Sequence, residues 1–569
     1  MPRPPLLRLA LPLVLFVAGC AGSRPVPPPA PPSVEEPVAV EAPAAAVPLE
    51  EGEALETAAP LLLTEAPAQW LALDEVADGV RGISLDRAYS LLEGRAPQRT
   101  VVVAVIDSGV DTAHEDLQGK LWVNDDEVPG NGLDDDGNGY ADDVHGWNFI
   151  GGPDGTPIHH DSYELTREVT RLSARYGEAD PDTLDAAEQA EFEAYRELVR
   201  RWENQRAEVE GMLTQIGTIE YVAEQATQVL RAHLRTEALT PEAVLAIDTD
   251  DERVRQAQEV YLFLADNGVS AGDLTEERER IEEQLRYGFD PDFDPRAIVG
   301  DDYDDVSERF YGNADVTGPA ADHGTGVAGV IAAVRGNGLG LDGVGGPGVR
   351  VMAVRTVPMG DERDKDVANA IRYAVDNGAH VINMSFGKRL SPEKDAVDAA
   401  VRYAEERGVL LVHAAGNDAE DTDAEAFYPT RYYADSTAAG NWLSVGASTW
   451  SDDALAAEFS NYGAASVDLF APGADLDLLA PANAYDRADG TSFAAPVVSG
   501  VAALLLSYFP DLSPMDAREI LLDAAVPYRG VTVPRPGDGA PVDFGALSTT
   551  GGVVNAARAV ELALERAGS

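Results

Sequence analysis

Cysteine is almost missing from this chain: Cys20 is the only one, which excludes an intramolecular disulfide framework whatever the compartment. Lysine is nearly as scarce, with Lys120, Lys365, Lys388 and Lys394 the complete set. Arginine does not fill the gap, because Lys and Arg together number 42 against 99 Asp and Glu, a formal net charge of −57. So strong a field of one sign disfavours nucleic acid and anionic membrane surfaces as partners. Two origins fit it: adaptation to high salt, which screens the repulsion, or calcium-binding loops on top of ordinary acidic drift. The N-terminal apolar run, Leu9 to Val17, is too short to cross a bilayer as a mature helix.

What the N-terminus does have is the layout of an export signal, with Arg3 and Arg8 flanking the start of that run. The run ends in Val17-Ala18-Gly19-Cys20, which resembles a bacterial lipobox and implies lipidation of Cys20; a plain signal peptide with a chance cysteine is the simpler alternative. Residues 21–65 are rich in Pro, Ala and Glu without sustained apolar period, a semi-rigid tether with no evident room for a pro-domain. At 45% hydrophobic residues, the remainder is long and apolar enough for a large globular core and more than one unit.

Val101 to Ile106 is apolar throughout and β-branched except at Ala104, so it reads as a buried parallel strand that ends at Asp107-Ser108-Gly109. Asp107 therefore sits at the carboxyl end of a central strand, where open α/β sheets place their sites. His323, in Asp322-His323-Gly324-Thr325-Gly326, opens a helix of small residues suited to close packing on the sheet. Ser492 lies in Gly490-Thr491-Ser492-Phe493-Ala494-Ala495-Pro496, at the mouth of an apolar helix. Alone that heptad has an ordinary helix start as its alternative reading, since Thr and Ser are favoured caps. Three chemically suited residues in the order Asp, His, Ser, each at the edge of an element, point instead to a nucleophilic serine with its base and orienting acid.

These segments resemble the signatures of the subtilisin-like serine peptidases: Asp-Ser-Gly, His-Gly-Thr-x-Val-Ala-Gly and Gly-Thr-Ser-x-Ala-x-Pro. The resemblance covers roughly 70–158 and 296–560. It implies an α/β, three-layer fold with a mostly parallel central sheet, and a catalytic triad of Asp107, His323 and Ser492. It further implies Asn417 as oxyanion donor, in Ala414-Ala415-Gly416-Asn417, and a substrate-binding edge at Ser385-Phe386-Gly387 completed by Ala414, Ala415 and Gly416. Polypeptides are the implied substrates, paired with that edge by strand addition.

The catalytic Asp and His are 216 positions apart, far more than in compact relatives, so a large insertion lies between them. Its first part, Asp134 to Asp143, reads as an incomplete EF-hand-like calcium loop. Asp134, Asp136 and Asn138 supply alternate oxygens, Gly139 the turn, Tyr140 a backbone donor and Asp142 or Asp143 a closing carboxylate, while His145 stands where a bidentate Glu belongs. An acidic solvated turn is the competing reading. The resemblance adds Asp116, with the backbone of 337–343, as a second calcium position.

From 162 to 286 the apolar residues fall into two helical stripes, one through Phe192, Tyr195, Leu198, Val199 and Trp202, the other from Val209 to Val229, which predicts a helical hairpin or small bundle. Ser391-Pro392 and Ser513-Pro514 each predict a capped helix start. The expected organisation is a signal peptide at 1–20, a tether at 21–65, a peptidase domain at 66–160 and 289–569, and an inserted α-helical subdomain at 161–288. The expected function is that of an exported, lipid-anchored serine endopeptidase with structural calcium. A catalytically silent peptide-binding lipoprotein on the same scaffold and a serine esterase are the rivals.

Overall fold

The computed structural model describes residues 65–451 and 454–568. The signal-peptide, Cys20 and tether expectations therefore lie outside the described residues, save Glu65. Contacts divide the described chain into two compact units, 65–213 with 278–568, and 214–277.

The first unit is organised by a nine-stranded sheet. Its main strands are β1 (Val101–Asp107), β2 (Gly146–Asn148), β3 (Val349–Arg355), β4 (Val381–Met384), β5 (Leu410–Ala414), β6 (Trp442–Ser448) and β7 (Leu469–Pro472), all joined in parallel. Beyond β7 lie Gly552–Val553, parallel, and Val526–Pro527, antiparallel. Strand β1 sits between β3 and β4 and is buried along its whole length. Its side chains alternate between two cores, Val101, Val103 and Val105 entering one and Val102, Ala104 and Ile106 the other, as the two-residue period of a strand requires. Helices cover both faces. The histidine helix (Asp322–Ala332) and the serine helix (Thr491–Tyr508) pack into the first core, and the helices Asp364–Asp376 and Lys394–Glu406 into the second. This is the expected three-layer α/β architecture.

Two helix starts fare differently. Ser513 makes a full capping box with Asp516 over Pro514, as the sequence predicts. Ser391-Pro392 does not cap its helix, which begins at Lys394. There the Glu393 N–H donates to Asp364 Oδ2 at 2.9 Å, so a carboxylate of the neighbouring helix replaces the local cap.

The insertion holds the helix Glu164–Tyr176 and then one continuous helix, Ala186–Leu234, of 49 residues. The two stripes expected on separate helices thus lie on one rod. No proline interrupts it, and its glycines, Gly211 and Gly217, each cost only about 1 kcal/mol, too little to break a helix packed elsewhere along its length. The second unit contains the C-terminal part of this rod with the helices Pro241–Leu245 and Glu252–Asp266, closed around Ala226, Leu230, Val244, Val254 and Ala257.

Candidate active site

Asp107 ends β1 and is 1% exposed, with its Oδ1 accepting from the Ser108 N–H at 2.7 Å and from His323 Nδ1 at 2.8 Å. His323 stands in the first turn of the histidine helix, which comes so close to the end of β1 that a Cβ on Gly324 would lie 2.1 Å from the Gly109 carbonyl oxygen. The Asp107 contact assigns the Nδ1 proton and leaves Nε2 as the basic nitrogen. Burial works against the charged imidazolium, yet the Asp107 charge and its hydrogen bond outweigh burial, so the His323 pKa lies above its ordinary value.

The serine helix carries Ser492 in its first turn, and the next residue, Phe493, has its ring 5.4 Å from that of His323. Ser492 Oγ donates to the Ser385 carbonyl at 3.1 Å; among the described residues it makes no hydrogen bond to His323. Ser385 Oγ donates to the Ser492 carbonyl at 2.7 Å and accepts from Asn383 Nδ2 at 2.9 Å, and Asn383 Oδ1 accepts from Ser499 Oγ at 2.9 Å. This buried chain ties the first turns of the serine helix to the end of β4. Sequence reasoning missed Asn383 and Ser499, although a polar residue inside an apolar strand, and another inside an apolar helix, each demand a partner.

Asn417 follows β5. Its Oδ1 accepts from the Thr491 N–H at 2.9 Å and from Thr491 Oγ1 at 2.8 Å, which fixes the amide and leaves Nδ2, among the described residues, without a partner at the cavity that Ser492 also lines. The Gly416 N–H is held by Thr491 Oγ1 at 3.1 Å. Asn461, also missed, accepts from the N–H groups of Asp418 and Glu420 and donates to the Ala415 carbonyl, bracing the whole segment.

Ser385, Phe386 and Gly387 form the facing edge. The Phe386 carbonyl is tied back to His413 Nε2 at 2.9 Å; His413 is buried between Phe427 and Trp442, and burial pushes its pKa down to about 4, so it donates as a neutral ring. Gly387 has neither its N–H nor its C=O in a backbone hydrogen bond among the described residues. Arg389 joins this edge to the Asn417 segment through ion pairs of 2.5 Å to both Asp418 and Glu420. Ser492, Asn417, Ala414, Gly416 and the edge line one cavity of about 620 Å³. All the expected catalytic and substrate residues are thus gathered at the carboxyl ends of β1, β4 and β5, with Ala415 turned into a separate apolar cluster.

The calcium candidates divide. Asp116 is fully buried; Oδ1 accepts from Asn337 Nδ2 at 2.6 Å, whereas Oδ2 has no hydrogen-bond partner among the described residues, and burial raises its pKa. Asp134 and Asp136 lie with Glu127, their carboxylate oxygens within 4.8 Å of one another. Glu127 has no counterpart in the loop pattern, which reads forward from Asp134 only. Asn138 bridges Asp136 and Asp143 through Nδ2. Asp143 is buried, accepts from Tyr373 at 2.6 Å, and is pushed up to about 6 by burial. Asp142 stands apart, its carboxylate taking the N–H groups of Gly130, Asn131 and Gly132, and Tyr140 packs its ring against Trp147 and Tyr373.

The subtilase family model matches residues 98–551. A thermophilic serine proteinase of Bacillus sp. (strain AK1) is 39% identical over 218 residues, covering 38% of this chain and 49% of that protein. Subtilisin Savinase of Lederbergia lenta is 37% identical over 205 residues, covering 36% of this chain and 70% of that protein. The chain spans about half the length of several such relatives. A cold-adapted subtilisin-like serine proteinase of known crystal structure, 29% identical, covers 45% of this chain and 80% of its own with a TM-score of 0.34. With the family model spanning all three signatures, this chain belongs to the subtilase family.

Proposed function

We propose that this protein is an exported serine endopeptidase that cleaves peptide bonds through an acyl-enzyme. The observation that carries the reading is the Asp107–His323 hydrogen bond of 2.8 Å beside Ser492 at a helix mouth, with the Asn417 amide oriented by Thr491.

In this mechanism an extended chain pairs with Gly387, and the Ser492 hydroxyl leaves the Ser385 carbonyl for another staggered rotamer facing His323. His323 Nε2 takes the hydroxyl proton as Oγ bonds to the substrate carbonyl carbon. Asp107 keeps the proton on Nδ1 and stabilises the imidazolium without being protonated itself. Charge collects on the former carbonyl oxygen, where Asn417 Nδ2 and the Ser492 N–H, a first-turn donor with no partner inside its helix, receive it. The C–N bond then breaks as Nε2 protonates the leaving amine. Water, deprotonated by His323, displaces Ser492 from the acyl group and regenerates the hydroxyl.

Export and a lipid anchor on Cys20 belong to the same proposal and are supported by the N-terminal sequence alone. Structural calcium at two places is part of the same proposal. Asp116, with its unpartnered buried Oδ2, would hold a cation against the 337–341 backbone, and Glu127 with Asp134 and Asp136 would hold another. Bound calcium would neutralise these carboxylates and brace their loops, with no part in the chemistry. Hydrolysis of an unfolded protein by the wild type, and its loss in Ser492→Ala, tests the reading; equal hydrolysis by both overturns it.

A further inference from the structure

The cavity that holds Ser492 has a second wall, and it comes from the insertion. Arg201, Gln205, Glu208, Val209 and Met212 line it, all on successive turns of the long helix. Their spacing of three and four residues puts them on one face. That face is chemically mixed: Val209 is buried and Met212 half-buried, whereas Gln205 and Glu208 are exposed.

The wall is anchored where it begins. Trp202, within the same turns, donates from Nε1 to Thr166 Oγ1 at 3.1 Å, and Thr166 Oγ1 donates to the Gly288 carbonyl at 2.7 Å. Phe192 packs with Leu172 and Tyr176 of the preceding helix. That preceding helix is in turn rooted at the substrate edge: Lys388, next to Gly387, is buried and reaches Glu164 Oε2 at 2.6 Å and Asp364 Oδ1 at 2.9 Å. A buried lysine holding two buried carboxylates cannot lose the contact cheaply, because a bare charge would remain in the interior. Edge and helix are therefore braced against each other as one rigid groove, not joined as a hinged arm.

We propose that this face of the long helix is a specificity-determining surface of the substrate groove. It contacts side chains of an extended polypeptide other than the one entering beside Ala414, Gly416 and Phe427, with Met212 selecting large apolar ones. The proposal rests on the serine endopeptidase reading. A peptide paired with Gly387 turns successive side chains to opposite faces, so while one set enters the sheet-side pocket the alternate set is free to meet a second wall. Met212 suits such a contact, since its flexible thioether fills irregular apolar gaps. Confinement between an edge and a helix also admits a single extended chain more readily than the surface loop of a folded protein.

The test compares wild type, Met212→Ala and Met212→Gln on two substrates: a nitrophenyl ester of one acylated amino acid, and a hexapeptide library varied at each position before the scissile bond. Melting curves verify that each variant is folded. The expected result is a tenfold or greater fall in the ratio of kcat/KM for apolar hexapeptides over the ester. The preference for large apolar residues should be lost at one or more positions away from the scissile bond, with the preference at the scissile residue retained. A ratio within twofold of wild type in both folded variants, with an active wild type, overturns the wall proposal alone. A wild type that cleaves neither substrate overturns the peptidase reading and the wall with it.

Discussion

Ser492 and Ser385 hold each other by reciprocal hydrogen bonds, Ser492 Oγ to the Ser385 carbonyl at 3.1 Å and Ser385 Oγ to the Ser492 carbonyl at 2.7 Å. In the proposed mechanism the first contact parks the nucleophile away from its base, and the second fixes the backbone that carries it. Substrate pairing along the edge competes only with the first. Ser385 is therefore a positioning residue. Ser385→Ala removes the second bond and strips the Asn383 amide of its acceptor, a loss of about 1–3 kcal/mol if the site stays dry. The expected outcome is a kcat lowered about tenfold with a smaller change in KM, measured on a peptide substrate.

Asn417→Ala removes the side-chain oxyanion donor of the proposed mechanism and also the acceptor for Thr491. Losing such a donor lowers kcat on the order of 10²- to 10³-fold, a scale known from subtilisin. The KM should change little, because the donor acts on charge that develops after binding.

The pH profile follows from His323. Its pKa is raised, so the neutral imidazole needed as base is lost as pH falls through that value, and the acid limb of kcat/KM should lie above pH 6.5, the ordinary histidine value. The stability linkage has the matching sign: the charged ring favours the folded state below the unfolded pKa, and the gain disappears as pH rises through the folded one. Asp107→Asn removes the charge that raises the pKa, and should move the limb of the residual activity to lower pH.

At the root of the insertion, burial acts to raise the Glu164 pKa, but the charges of Lys388 and Arg167 dominate and hold it down at about 2. A depressed carboxylate stabilises the fold above its unfolded value and loses the effect as pH falls towards the folded one, a window from about 4.5 down to about 2. Lys388→Met takes the shared cation from Glu164 and Asp364 and leaves Glu164 with Arg167 alone. It should cost about 3–5 kcal/mol in denaturant unfolding, the scale for one removed partner of a buried pair. Unchanged unfolding would contradict the brace.

Calcium chelation should lower the melting temperature. A ligand at 100 times its Kd contributes about 2.7 kcal/mol to stability, and that contribution is removed with the ion. Asp116→Asn and Glu127→Gln should each abolish part of the chelator-sensitive shift; a melting curve indifferent to chelator rejects structural calcium.

Much of the site was legible in the sequence because its parts obey local rules. Val101 to Asp107 is apolar enough to be a buried strand, and its terminal carboxylate can only face the sheet's open end. The Ser513-Pro514 cap is equally local. What escaped reading depends on contacts distant in sequence. Asn383 and Ser499 make sense only once β4 and the serine helix are adjacent. Glu127 joins Asp134 and Asp136 only through the fold of a loop, and the Lys388–Glu164 pair spans 224 positions. The two apolar stripes were real, but periodicity describes a face and not an end, so one helix of 49 residues looked like two.

The most direct test of the account is labelling by a fluorophosphonate probe, with the modified residue mapped by mass spectrometry. A single phosphonyl adduct on Ser492, absent in Ser492→Ala and much slower to form in His323→Ala, is the result predicted. A folded wild type that takes up no probe, or takes it up elsewhere with Ser492 unmodified, would contradict it.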